Sequence, residues 1–294
     1  MNFPRVALDN NIKAKVLFVR LSSLGDIVLT AHIGRRLKEL FPFFELSWLT
    51  EKNYGPFAEY MPWIDKVIPW DRKEGWRGFL KLISRVRNEK FDILFNLQDN
   101  DRTALLTLLT HIPLKIGFHR HFQFVYNQDV YAVLGQLGIP PCLEKQIRSS
   151  LVRPEGDSRV APCIERENTR CCAALAIGAS KARKRWPVPY WAQLIHFLSE
   201  KNCLAVLLGS GAEEKKMARE IMAQCSGQRV LDWVDKLSTS ELLCVLADAS
   251  FVVAADTGPL HMARALGTPV IAMFGPTSLS ISYTQSFDKV VYTS

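Results

Sequence analysis

No apolar stretch of this sequence approaches the roughly 20 residues that cross a bilayer. Residues 1–10 lack the basic start and apolar core of a secretion leader. These absences lead us to expect a water-soluble protein of the cytoplasm. The cysteines, at 142, 163, 171, 172, 203, 225 and 244, are odd in number and never spaced as C-x-x-C. A zinc site is therefore not expected, and the thiols read as small buried hydrophobes in a reducing compartment. The Walker A phosphate loop, an H-E-x-x-H helix and a G-x-S-x-G nucleophile elbow are all missing, which excludes the chemistries they carry. Gly209-Ser210-Gly211 stops one glycine short of the dinucleotide fingerprint. The sequence also shows neither internal repeats nor low-complexity tracts.

What is present is an ordinary globular composition, 48% hydrophobic and 22% charged over 294 residues, enough for one large domain or two of common size. The formal net charge of +8 favours anionic partners: nucleotides, nucleic acid or an acidic membrane face.

Hydrophobic patterning alternates between strand and helix. In the first half, strands are expected at 15–21, 45–50, 66–69 and 91–97, with a short strand or edge at 115–118. The intervening helices fall at 27–41, 54–60, 76–90 and 103–110. Residues 153–169, following Pro140-Pro141, are poor in long apolar side chains and read as an inter-domain linker. The alternation then restarts, with strands at 172–177, 204–208, 229–231, 251–255 and 270–274 and helices at 190–201, 213–225 and 240–248. A further two-turn helix starts at Pro259 and ends at Gly267. This is the signature of two α/β domains with parallel sheets, 14–155 and 169–294, and a cleft between them.

The densest polar cluster is Asp256-Thr257-Gly258-Pro259-x-His261, at the C-terminal end of a buried strand and the start of a helix. Asp and Thr are ordinary capping residues, so the segment alone admits a purely structural reading. Its concentration favours a ligand site: Gly258 allows close approach and the helix start offers N–H donors to an anion. Residues 178–187, GASKARKRWP, follow another strand end, where a small residue and a lysine suit a diphosphate. Glu213 and Glu214 after the G-S-G turn stabilise a helix start, and a carboxylate there can also hold ribose hydroxyls. Asp26, after Ser22-Ser23-Leu24-Gly25, occupies the equivalent place in the first domain. It is either a helix-start carboxylate or a general base.

Together these residues resemble glycosyltransferase family 9, the bacterial ADP-heptose:lipopolysaccharide heptosyltransferases. The resemblance rests on Asp256-Thr257-Gly258-x-x-His261-x-Ala263-x-Ala265-x-x-x-Pro269 with Phe274-Gly275-Pro276-Thr277, on Ser23-Leu24-Gly25-Asp26, and on Lys184-x-Trp186-Pro187. It implies a GT-B fold of two Rossmann-like domains, acceptor side N-terminal and nucleotide-sugar side C-terminal. It implies inverting, metal-independent heptose transfer from ADP-heptose to Kdo or heptose of the lipopolysaccharide core at the inner membrane face, with no cofactor and no nucleic acid. By position, Asp26 would be the base, Ser180 and Lys184 diphosphate ligands and Glu214 a ribose ligand. Asp256 would contact donor sugar hydroxyls, and Thr257, Gly258 and His261 the phosphates. Lys184 and the helix start would stabilise the departing ADP in place of a metal. A non-catalytic nucleotide-sugar-binding or scaffold relative, or a member using another sugar, are the alternatives. Two features depart from the pattern: Asp99-Asn100 stands after Gln98 where many members have glycine, and 17 residues follow Thr277, fewer than the family leads one to expect, without the closing helix.

Overall fold

The computed structural model describes residues 12–22, 24–139, 151, 153, 163, 168–169, 171–179, 184–274 and 289–292, and the statements below concern these. The expected linker, Ser23, Ser180 and Gly275-Pro276-Thr277 lie wholly or almost wholly outside them. Contacts divide the chain into two units, Met1–Leu143 and Glu144–Ser294.

The first unit runs β1 (Ala14–Val19), α1 (Leu24–Leu40), β2 (Phe44–Glu51), a 3₁₀ segment (Lys52–Tyr60), β3 (Lys66–Trp70), α2 (Gly75–Glu89), β4 (Ile93–Asn96), α3 (Asp101–Leu109), β5 (Leu114–Gly117), β6 (Gln128–Asp129) and α4 (Val130–Gln136). The strands form one parallel sheet in the order β3-β2-β1-β4-β5-β6. β1 lies inside it, and Val16, Leu17 and Val19 are fully buried, which is why the strand reads as an unbroken apolar run. Pro69 sits in β3, an outer strand, where a missing N–H is tolerated. α2 lays Phe79, Leu82, Ile83 and Val86 against Leu17 and Leu94 of the sheet. Each such side chain contributes about 1.5–3 kcal/mol on burial.

The second unit repeats the plan: β7 (Cys171–Ala176), α5 (Val188–Glu200), β8 (Cys203–Leu208), α6 (Ala212–Gln224), β9 (Val230–Asp232), α7 (Thr239–Asp248), β10 (Phe251–Ala255), α8 (Gly258–Leu266), β11 (Val270–Phe274) and β12 (Lys289–Tyr292). Its parallel sheet has the order β12-β11-β10-β7-β8-β9. Counted from each unit's own first strand, the two orders are the same Rossmann order. Trp191, Ile195 and Leu198 of α5 pack on Ala173, Leu175 and Leu207.

Three expectations are corrected. Residues 54–60, expected as a helix, belong to the 3₁₀ segment, with Pro56 inside it removing a backbone donor. β6, α4 and β12 were not expected, being too short for a period to show. Finally, Cys171 and Cys203 form a disulfide instead of remaining free thiols. They are register partners on β7 and β8, with Cα atoms 4.8 Å apart.

Candidate functional site

In each unit the sheet order reverses direction beside its first strand, between β1 and β4 in one and between β7 and β10 in the other. Loops leaving the C-terminal ends of two such strands diverge and open a place for a ligand. Both clusters singled out in the sequence stand at these points.

In the second unit the register pairs Ala176 of β7 with Ala254 of β10 and Leu208 of β8, so the three strands end level. Asp256 follows β10 directly. Lys184 Nζ donates to Asp256 Oδ2 at 2.8 Å, and His261 Nε2, from the first turns of α8, lies 3.3 Å from Oδ1. The three side chains are largely buried, 16% exposed for Lys184, 15% for Asp256 and 6% for His261, so the pairing is little screened by solvent. His261 and then Lys184 hold the Asp256 carboxyl well below the usual carboxylate range, against the opposing effect of burial. His261 Nδ1 is buried and has no hydrogen-bond partner among the described residues.

Thr257 is the N-cap of α8, with φ −145° and ψ 172°. Its hydroxyl donates to Ala255 O at 3.1 Å and does not cap the helix. The first N–H groups of α8 at Gly258 therefore receive no side-chain cap, and this helix start is suited to an anion. Gly267 ends the helix at φ +86°.

Glu214, in the first turn of α6, lies against two glycines. A Cβ on Gly178 would sit 2.6 Å from Glu214 Oε1, and one on Gly209 would sit 3.0 Å from its Cβ. The strand ends of β7 and β8 are thus shaped around this side chain. Ser180 lies outside the described residues. So the described part of the unit brings Lys184, Asp256, Thr257, Gly258 and His261 together, with Glu214 at the neighbouring strand ends.

In the first unit Asp26 sits in the first turn of α1, its side chain 46% exposed. Arg20, at the end of β1, places Nη2 2.9 Å from Asp26 Oδ2 and also donates through Nη1 to Leu97 O. Gln98 Oε1 accepts from Leu21 N at 3.2 Å and Ser22 N at 3.4 Å, tying the β4 end to the loop that leads into α1 and Asp26. The Asp99-Asn100 departure also has a local role: Asn100 caps α3 by accepting from Thr103 N, and Asp99 accepts from Arg120 N.

Sequence reasoning did not find Arg20, Gln98 or Arg185. Arg185 donates to Ala179 O at 2.9 Å and pairs with Glu213 at 3.5 Å, closing the loop after β7. The one available signal was a charged residue ending an otherwise apolar strand, at Arg20. No helix among the described residues is long and apolar enough to cross a membrane.

Two parallel Rossmann sheets with polar clusters at their switch points are the architecture of the GT-B fold. A glycosyltransferase family 9 structure from Veillonella parvula superposes with a TM-score of 0.83 at 20% identity, over 97% of this chain and 88% of that one. The Escherichia coli heptosyltransferase WaaC with ADP-2-deoxy-2-fluoro heptose gives 0.73 at 21% identity, over 94% and 92%. The family model of glycosyltransferase family 9 (heptosyltransferase) matches residues 150–285. Lipopolysaccharide core heptosyltransferase OpsX of Haemophilus influenzae is 26% identical over 274 residues, 87% of this chain and 77% of that protein. Lipopolysaccharide heptosyltransferase 1 of Escherichia coli is 24% identical over 286 residues, 90% and 88%. The chain is thus similar to glycosyltransferase family 9, by the family model over its second half and by these relatives over most of its length.

Proposed function

We propose that the protein transfers heptose from ADP-heptose to Kdo or heptose of the lipopolysaccharide inner core, with inversion, working in the cytoplasm at the inner membrane face. The observation that carries this reading is the alignment of some nine-tenths of the chain with lipopolysaccharide heptosyltransferases. The site chemistry agrees with it. Asp256 takes the donor sugar hydroxyls, its carboxylate held ionised by His261 and Lys184. Thr257, Gly258 and His261 take the phosphates at the uncapped start of α8, with Ser180 and Lys184 as further diphosphate ligands. Glu214 holds the ribose. Lys184 keeps donors free beyond the one given to Asp256, and its charge offsets the negative charge that grows on the departing ADP. Asp26 removes the proton from the acceptor hydroxyl as it attacks the anomeric carbon, on the face opposite the leaving diphosphate. Arg20 fixes the orientation of that carboxylate through Oδ2.

The test is transfer of labelled heptose from ADP-heptose to a heptose-deficient core. Asp26→Asn is expected to lower kcat by about two to four orders of magnitude while leaving ADP binding intact. Full turnover in that variant would remove Asp26 from the chemistry. Tight ADP-heptose binding without any turnover by the native protein would favour a non-catalytic binding relative.

A further inference from the structure

We infer that the outward face of α2 docks the protein on a bilayer rich in anionic phospholipid. This helix buries Phe79, Leu82, Ile83 and Val86, yet its opposite face is not merely polar. Trp76 is 62% exposed and Leu80 51% exposed, one turn apart on the same side. Trp76 stacks on Phe79, with ring centroids 5.2 Å apart, and still presents most of its surface to solvent. Beside this apolar stripe runs a basic one, Arg77, Lys81 and Arg85 at successive four-residue steps, preceded by Lys73; all four are exposed. Lys73, Arg77 and Lys81 form no ion pair with a described carboxylate, Arg85 stands one turn before Glu89, which is itself paired with Lys66, and between residues 72 and 88 Glu74 is the lone acid. An exposed tryptophan and leucine framed by exposed cations match the boundary between headgroups and acyl chains. The apolar pair enters the boundary while the cations meet phosphate.

A second observation ties this face to the reaction. The turn that leads into α2 carries Arg72, whose guanidinium pairs with Glu51 at 2.6 Å and donates to Ser22 Oγ at 3.3 Å. Ser22 belongs to the loop that leads into α1, whose first turn carries Asp26, so the helix face and the proposed base are linked within one unit. A glycolipid acceptor held in a membrane needs such nearness. This inference rests on the proposed acceptor only in that link; the docking itself follows from the exposed face.

Vesicle flotation tests it, using phosphatidylcholine alone and phosphatidylcholine mixed with phosphatidylglycerol. The native protein is expected to float with the mixed vesicles and not with the neutral ones. The R77Q/K81Q/R85Q variant is expected to bind the mixed vesicles on the order of a hundredfold more weakly, about fivefold for each charge removed. W76S/L80S is expected to bind them more weakly at every salt concentration, with ADP binding by calorimetry unchanged in both variants as the check on folding. Failure of the native protein to bind, or variants that bind as it does, would overturn the inference. So would a change in oligomeric state of W76S/L80S by light scattering without a change in vesicle binding, which would make this face a self-association surface. Transfer assays separate this from the reaction: both variants should match the native protein on a water-soluble deacylated core and fall behind on lipid-borne core. Vesicle binding without transfer to either acceptor would sustain the docking and sink the proposed reaction.

Discussion

Asp256 is the most strongly perturbed carboxylate among the described residues of the second unit, held low by His261 and Lys184 despite its burial. A carboxyl depressed in the folded state contributes stability that is complete above its unfolded pKa and is lost as pH falls below it. Asp256→Asn should therefore cost about 2 kcal/mol at pH 7, by leaving Lys184 and His261 without their shared partner. The gap between variant and native protein should narrow below about pH 4, the ordinary aspartate range. Urea unfolding at pH 7 and pH 3 measures both, and a gap that stays constant would remove the linkage. Burial has the opposite effect on Cys172, whose thiol is pushed up to about 12 and is inert at neutral pH. Asp256, Lys184 and His261 were legible as separate motif residues. Their mutual pairing was not, because the loop after β7 and the strand end of β10 are 72 residues apart in sequence. Arg20 escaped in part for a similar reason: Leu97 O meets it only once β1 and β4 are paired.

At the level of elements, the crossover β10–α8–β11 was readable because each part carries its own punctuation. Two unbroken apolar runs flank a helix opened near Pro259 and closed by Gly267 in the left-handed region. The preceding helix, α7, carries a full capping box: Ser238 Oγ accepts from Glu241 N, and the Glu241 carboxylate accepts from Ser238 N at 2.8 Å. α7 and α8 pack against each other, and Thr268, just past α8, donates to Leu246 O of α7 at 2.7 Å. Ser238→Ala is expected to lower stability by about 1 kcal/mol in chemical unfolding, with ADP binding unchanged. A loss below a few tenths would mean that tertiary packing holds the helix start without its cap. β6 escaped the sequence because its two residues carry no periodicity; it exists through pairing with β5.

On the scale of the molecule, one strand order has been built twice, and each unit carries its own hydrophobic core. If the donor residues act as proposed, ADP binds the second unit alone. At a hundredfold excess over Kd it should stabilise that unit by about 2.7 kcal/mol. Calorimetric unfolding should show this as an upward shift in the transition assigned to residues 144–294, absent in Lys184→Met. A shift of equal size in that variant would separate Lys184 from the nucleotide. The doubled α/β alternation was open to reading because buried parallel strands announce themselves as apolar runs; the shaping of the strand ends was not. Gly178 and Gly209 follow two different strands and Glu214 opens a helix, and the space each glycine leaves is filled by the same side chain. They therefore drift as one heritable unit: a side chain gained at Gly178 is a defect while Glu214 stands, and close to neutral once it has gone, so the order in which substitutions arrive decides which are tolerated.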